Sequence, residues 1–143
     1  SFRGDGLMDT ERMAVVISDI KQYLNDLEEL DISSQEDLSR KELYYSASMI
    51  AFSVINRVID LGELMVQGKK LGVPTSYKDI FSLLQKAGYV TEGMKNQLGK
   101  LVYYRNMLAH EYQEFGADEV YSILEELSVV KSFVEKMKSH AKE

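Results

Sequence analysis

With 143 residues and no cysteine, the chain is long enough to bury a core as one domain, and it can form neither disulfides nor thiolate-bound metal sites. The missing cysteines suit a reducing cytoplasm, where the protein is expected, because no apolar run approaches the roughly 20 residues that span a bilayer and no secretory signal opens the sequence. A net charge of −6 argues against indiscriminate nucleic-acid binding, since phosphate contacts need lysine and arginine.

Residues 1–8 carry glycines and little periodicity and are expected to form a flexible N-terminus, leaving 9–143 as a single helical domain. A first helix is predicted from Thr10 to Leu30, capped by Asp9, with Met13, Val16, Ile17, Ile20, Leu24 and Leu27 as its buried stripe. Ser33 and Glu36 have capping-box spacing, which predicts a long second helix from Gln35 to Lys69. Its core face is Tyr44, Ala47, Ala51, Val54, Ile55, Val58 and Leu61, widened by Tyr45, Ile50 and Ile59, so it should sit centrally. Gly62 is the expected place for a kink.

Gly72-Val73-Pro74 breaks the pattern. Thr75 or Ser76 should then cap a short helix that buries Ile80, Phe81, Leu83 and Leu84 and stops at Gly88. Thr91 should cap a fourth helix running to about Tyr112. After Gly116, a fifth should run from Ala117 to Ser139. Short connections make neighbours antiparallel. The expected architecture is an all-α, up-down bundle of four main helices plus one short one, paired as a homodimer.

Charge is uneven along the chain. From Lys69 to His110 seven basic residues face only Asp79 and Glu92, a net of +5, so the remainder carries −11. A local basic surface and scattered solvated lysines explain this equally well. The fourth helix also holds an anomaly. Its stripe reads Met94, Leu98, Leu101, Arg105, Leu108, Tyr112, and a companion row reads Val102, Asn106, Ala109. Either the stripe turns into solvent at Arg105, or that guanidinium finds an anion, a pocket or an interface, because burying it unpaired is prohibitively costly. His110 follows Asn106 by four, within reach on one helix face, and an asparagine amide can fix an imidazole's tautomer and orientation. Arg105 and His110 stand about 140° apart around the axis and roughly 7.5 Å along it. They flank a phosphate only if their side chains converge or a second chain completes the site.

Arg105-Asn106-x-x-x-His110-x-Tyr112 resembles the Arg-x4-His-x-Tyr signature of HepT-like toxins, a branch of the HEPN group of small helical proteins. The likeness extends through Gly72, Pro74, Ser76 and Tyr77, through Ala87-Gly88 and through the Val120–Leu124 run, covering about Met8 to Met137. It implies an all-α homodimer acting as a metal-independent ribonuclease toxin, beside an MNT-type nucleotidyltransferase antitoxin. It makes Arg105 and His110 the catalytic pair supported by Asn106. It makes Tyr112 the acceptor of AMP units from the partner.

The implied chemistry suits these residues. RNA carries its nucleophile in the 2′-OH, so cleavage needs a base, an acid and a cation for charge growing on phosphorus. Histidine serves as base or acid near neutral pH, and arginine offers a permanently charged fork of donors. His140, the one other histidine, is read as solvated in the Lys-rich tail, so a two-histidine mechanism needs His110 from each of two chains.

Other features are weaker. His110 and Glu114 are too few for a metal site, and neither metal nor cofactor is expected. Glu28-Glu29 and Glu125-Glu126 read as solvated faces. Tyr103 and Tyr104 either stack on bases or serve as half-buried packing. The alternative to a nuclease is a non-catalytic nucleotide-binding or protein-interaction module.

Overall fold

The computed structural model describes residues 8–110 and 116–143. The flexible N-terminus expected for residues 1–8 lies, but for Met8, outside them. Among the described residues there are six α-helices: α1 (Thr10–Glu29), α2 (Lys41–Gly68), α3 (Tyr77–Lys86), α4 (Glu92–Leu108), α5 (Ala117–Glu126) and α6 (Val129–Ala141). A 3₁₀ turn at Gln35–Ser39 precedes α2. The chain is an up-down helical bundle in which α2 is the hub, touched by every other helix.

Three caps are those read from the sequence. Asp9 accepts from the Arg12 amide at 3.0 Å, Ser76 from the Asp79 amide at 3.1 Å, and Thr91 from the Met94 amide at 3.1 Å. Gly88 ends α3 with φ +84°, the left-handed conformation that glycine adopts without strain.

Four expectations are corrected. The capping box lies one residue later: the Asp37 carboxylate accepts from the amides of Ser33 at 2.8 Å and Ser34 at 3.2 Å. It opens the 3₁₀ turn rather than the long helix, and α2 begins only after extended Arg40. Tyr45 belongs to the surface, 64% exposed.

Gly62 does not interrupt α2. It lets α3 lie directly on the helix, since a Cβ there would stand 2.9 Å from Ile80 Cγ2 and 3.1 Å from Phe81 Cε1. The predicted fifth helix is two segments. Leu127, Ser128 and Val130 donate to the carbonyls three residues back, a tightened turn that leaves Leu127, Val129 and Val130 all buried.

The main core is built from Val16 and Ile20 of α1, Val54, Ile55, Val58 and Leu61 of α2, Ile80, Phe81 and Leu84 of α3, Leu98 and Leu101 of α4, and Val130, Phe133 and Met137 of α6. Phe81 and Phe133 meet edge to face, with ring centroids 5.8 Å apart. This packing fixes α3 and α4 against α2, and so fixes the surroundings of Arg105.

Candidate active site

The buried face of α4 runs through Met94, Leu98, Leu101 and Val102 and stops there. One turn later Arg105 is half-buried and Asn106 is exposed. The stripe therefore does turn outward, while the guanidinium still finds a built environment. Arg105 Nε donates to Asn56 Oδ1 of α2 at 2.9 Å, and Nη1 donates to Asn106 Oδ1 at 3.2 Å. The guanidinium carbon lies 5.4 Å from the Phe52 ring centroid and 5.3 Å from that of Tyr77. Both are within cation–π range, so two rings and two amide oxygens hold the group in one orientation.

These contacts position the cation without neutralising it. Among the described residues no carboxylate lies within ion-pairing distance of Arg105. Among the described residues two of its five N–H donors are engaged, which leaves a forked set for an outside anion. A cleft of about 540 Å³ opens beside it, bounded by Asn106 and Val102 of α4 and by Thr75 to Lys78 at the start of α3. Glu63 is the one carboxylate among the described residues that line it.

His110 lies beyond the C-cap Ala109, exposed, with its backbone amide donating to the Met107 carbonyl at 3.2 Å. The expected helix to Tyr112 thus closes at Leu108, and the i, i+4 helical register between Asn106 and His110 ends short of His110. Tyr112 and Glu114 lie outside the described residues. Arg105 and Asn106 are brought together by the fold, and His110 stands at the same end of α4. Among the described residues no three His, Cys, Asp or Glu side chains group as metal ligands.

His140 is not simply solvated. Its ring lies 4.7 Å from that of Tyr89, and its Nδ1 is 3.1 Å from Glu143 Oε2, so α6 holds it far from Arg105 in sequence and in its own polar contact.

Sequence reasoning missed Asn56, Phe52 and Tyr77. No local signal marks Asn56, because Ser53 and Arg57 are also polar within Ala51–Ile59 of α2.

Residues 20–137 match the family model for HepT-like ribonucleases, and the chain belongs to that family. It is similar to the mRNA nuclease HepT of Shewanella oneidensis, 33% identical over 67 residues that cover 47% of this chain and 50% of that protein. It is also similar to the proposed RNase YutE of Bacillus subtilis, 30% identical over 91 residues, covering 64% of this chain and 63% of YutE. The chain thus matches between half and two thirds of these relatives' lengths.

The solved structure of YutE superposes with a TM-score of 0.81 at 22% identity, over 94% of this chain and 91% of that one. A tri-AMPylated Shewanella oneidensis HEPN toxin in complex with an MNT antitoxin gives 0.79 at 23% identity, over 89% and 96%. At these identities the superpositions establish the helical fold. Among the described residues no helix is long and apolar enough to cross a membrane.

Proposed function

We propose that this protein is a metal-independent endoribonuclease toxin of the cytoplasm, acting as a homodimer and silenced by AMP addition to Tyr112 by a partner nucleotidyltransferase. The observation that carries the reading is Arg105. Its guanidinium is oriented by Asn56, Phe52, Tyr77 and Asn106, yet it has no carboxylate partner among the described residues, and two of the residues that hold it, Tyr77 and Asn106, line a cleft. Such a group is preorganised for a phosphate, and a charge fixed before the reaction stabilises a transition state most effectively. Membership of the HepT-like ribonuclease family agrees with it.

In the proposed mechanism the 2′-OH attacks the adjacent phosphorus as His110 removes its proton. Negative charge growing on the phosphoryl oxygens is met by Arg105, and Asn106 holds the guanidinium toward the cleft. The 5′ oxygen leaves with a proton supplied by the partner subunit's His110, giving a 2′,3′-cyclic phosphate and a free 5′-OH.

The dimer has support on α2. Tyr45, Met49, Phe52 and Asn56 share one face at 4-3-4 spacing. Tyr45 and Met49 are 64% and 71% exposed, while Phe52 and Asn56 hold Arg105. An apolar strip running into the site suits a two-fold interface that completes it.

AMP esterified to Tyr112 would add bulk and negative charge seven residues from Arg105, where the phosphate can pair with the guanidinium and the nucleotide can block RNA. The toxin found AMPylated beside an MNT antitoxin supports that part of the reading.

The test uses the purified protein and a labelled RNA in excess EDTA. Cleavage should persist under chelation and fall about 10²-fold or more in His110→Ala. Cleavage that vanishes with EDTA, or survives in His110→Ala, overturns the mechanism. After co-expression with the nucleotidyltransferase, AMP-sized mass additions should appear on the wild type and be absent from Tyr112→Phe. Additions that remain would place the modification elsewhere.

A further inference from the structure

A second groove lies between α4 and α3. Lys78, Lys95, Lys100, Tyr103 and Tyr104 line it, and Gly99 forms part of its floor. Its volume is about 480 Å³, and no carboxylate is among the described residues that line it. That is unusual on a chain of net charge −6. Tyr103 is 56% exposed and its ring lies 5.7 Å from that of Tyr104, leaving an aromatic face open beside the lysines. At Gly99 an added Cβ would meet no atom within 4 Å, so the helix backbone itself is approachable there. Lys78 also lines the cleft beside Arg105, so one lysine near the start of α3 borders both. From Lys95 to Arg105 the path follows α4 for about 15 Å.

We propose that this groove is the track for single-stranded RNA flanking the cleaved bond, with the lysines on successive phosphates and Tyr103 as a stacking platform. The proposal rests on the ribonuclease reading and adds where the strand lies outside the reacting phosphate. Positive charge follows a phosphate backbone without regard to sequence, and an exposed ring stacks on any base. Duplex RNA offers neither free base faces nor a single narrow strand, so the groove selects unpaired RNA. Lys100 is already bonded to Glu126 at 3.1 Å, which reserves one cation that RNA must take from a carboxylate.

The experiment measures fluorescence anisotropy of a labelled 2′-O-methyl oligouridylate as salt is raised. The methyl group removes the nucleophile, so binding is read without turnover. Lys78→Gln and Lys95→Gln should each weaken binding and reduce the log–log salt slope by about 0.7. Tyr103→Ala should weaken it roughly fivefold or more with the slope unchanged. Glu126→Gln should free Lys100, tightening binding and steepening the slope. Gly99→Glu should weaken binding, and its open surroundings keep the fold intact.

Wild-type affinity and slope in all five variants would overturn the track. So would variants that keep RNA affinity but lose the partner nucleotidyltransferase, which would make the groove a protein-docking surface. If the wild type shows the predicted binding but cuts no ordinary RNA, the ribonuclease reading fails while the track stands. If cleavage depends on His110 but the groove variants bind RNA as the wild type does, the track alone fails.

Discussion

Two contacts on α2, six residues apart, are built on opposite rules. At Gly62 the helix meets α3 through Ile80 and Phe81, with no space for a methyl group and no polar atom. At Asn56 it meets α4 through Arg105, half-buried and hydrogen-bonded, next to Asn106 and Tyr77 of the cleft wall. The first contact is saturated and can only stabilise. The second leaves donors unspent, and unspent donors held in place are what binding and catalysis require. Tyr77, the first residue of the same α3, lies over the guanidinium.

That division can be broken most sharply at Asn56. Asn56→Ala should lower RNA cleavage between about tenfold and 10²-fold, because a misplaced catalytic group costs rates of that order. Asn56→Asp would set a carboxylate where Arg105 Nε now finds an amide. It should impair cleavage at least as much as Asn56→Ala while leaving the thermal midpoint no lower. A positioning role requires that split between rate and stability; equal losses of both would reduce Asn56 to packing.

At the other contact, Gly62→Ala should destabilise the fold by about 1 kcal/mol or more, since overpacking outweighs the gain in helix propensity. Denaturant midpoints would show it, and the rate per folded molecule should change little. A loss of cleavage without loss of stability would mean that the two contacts are not separable as described.

The smallest effect belongs to a site remote from both. Asp37 is held below the ordinary carboxylate value mainly by the amides of Ser33 and Ser34. A depressed folded-state pKa means that its contribution is present above the unfolded value near 3.8 and fades as pH falls through the lowered one. Thermal midpoints of the wild type and Asp37→Asn should therefore differ near neutral pH and converge in strong acid. A constant difference would show that the amide bonds are not its source.

Much of this was legible in the sequence because it is local. The caps at Asp9, Ser76 and Thr91, the stop at Gly88 and the stripe Met13–Ile20 follow from residues within a turn or two of one another. The misses occurred where tertiary packing decides. Gly62 reads as a helix weakness until Phe81 is seen against it, and the turn at Leu127-Ser128 exists because Leu127, Val129 and Val130 all seek the core. Arg105 announced itself as a charge on an apolar stripe. Its partner Asn56 lies 49 residues away, and nothing in the pattern of α2 says that the two meet.

In the proposed reading, Arg105 is a preorganised phosphate receptor needed for metal-independent RNA cleavage. Single-turnover cleavage of a labelled RNA in EDTA, by the wild type, Arg105→Lys and Arg105→Ala, tests it most directly. Arg105→Ala should lose about 10²-fold or more at an almost unchanged thermal midpoint, and Arg105→Lys should recover little, because an ammonium cannot stack between two rings and present a fork of donors. Cleavage by Arg105→Ala at the wild-type rate would mean that the guanidinium is not the phosphate receptor.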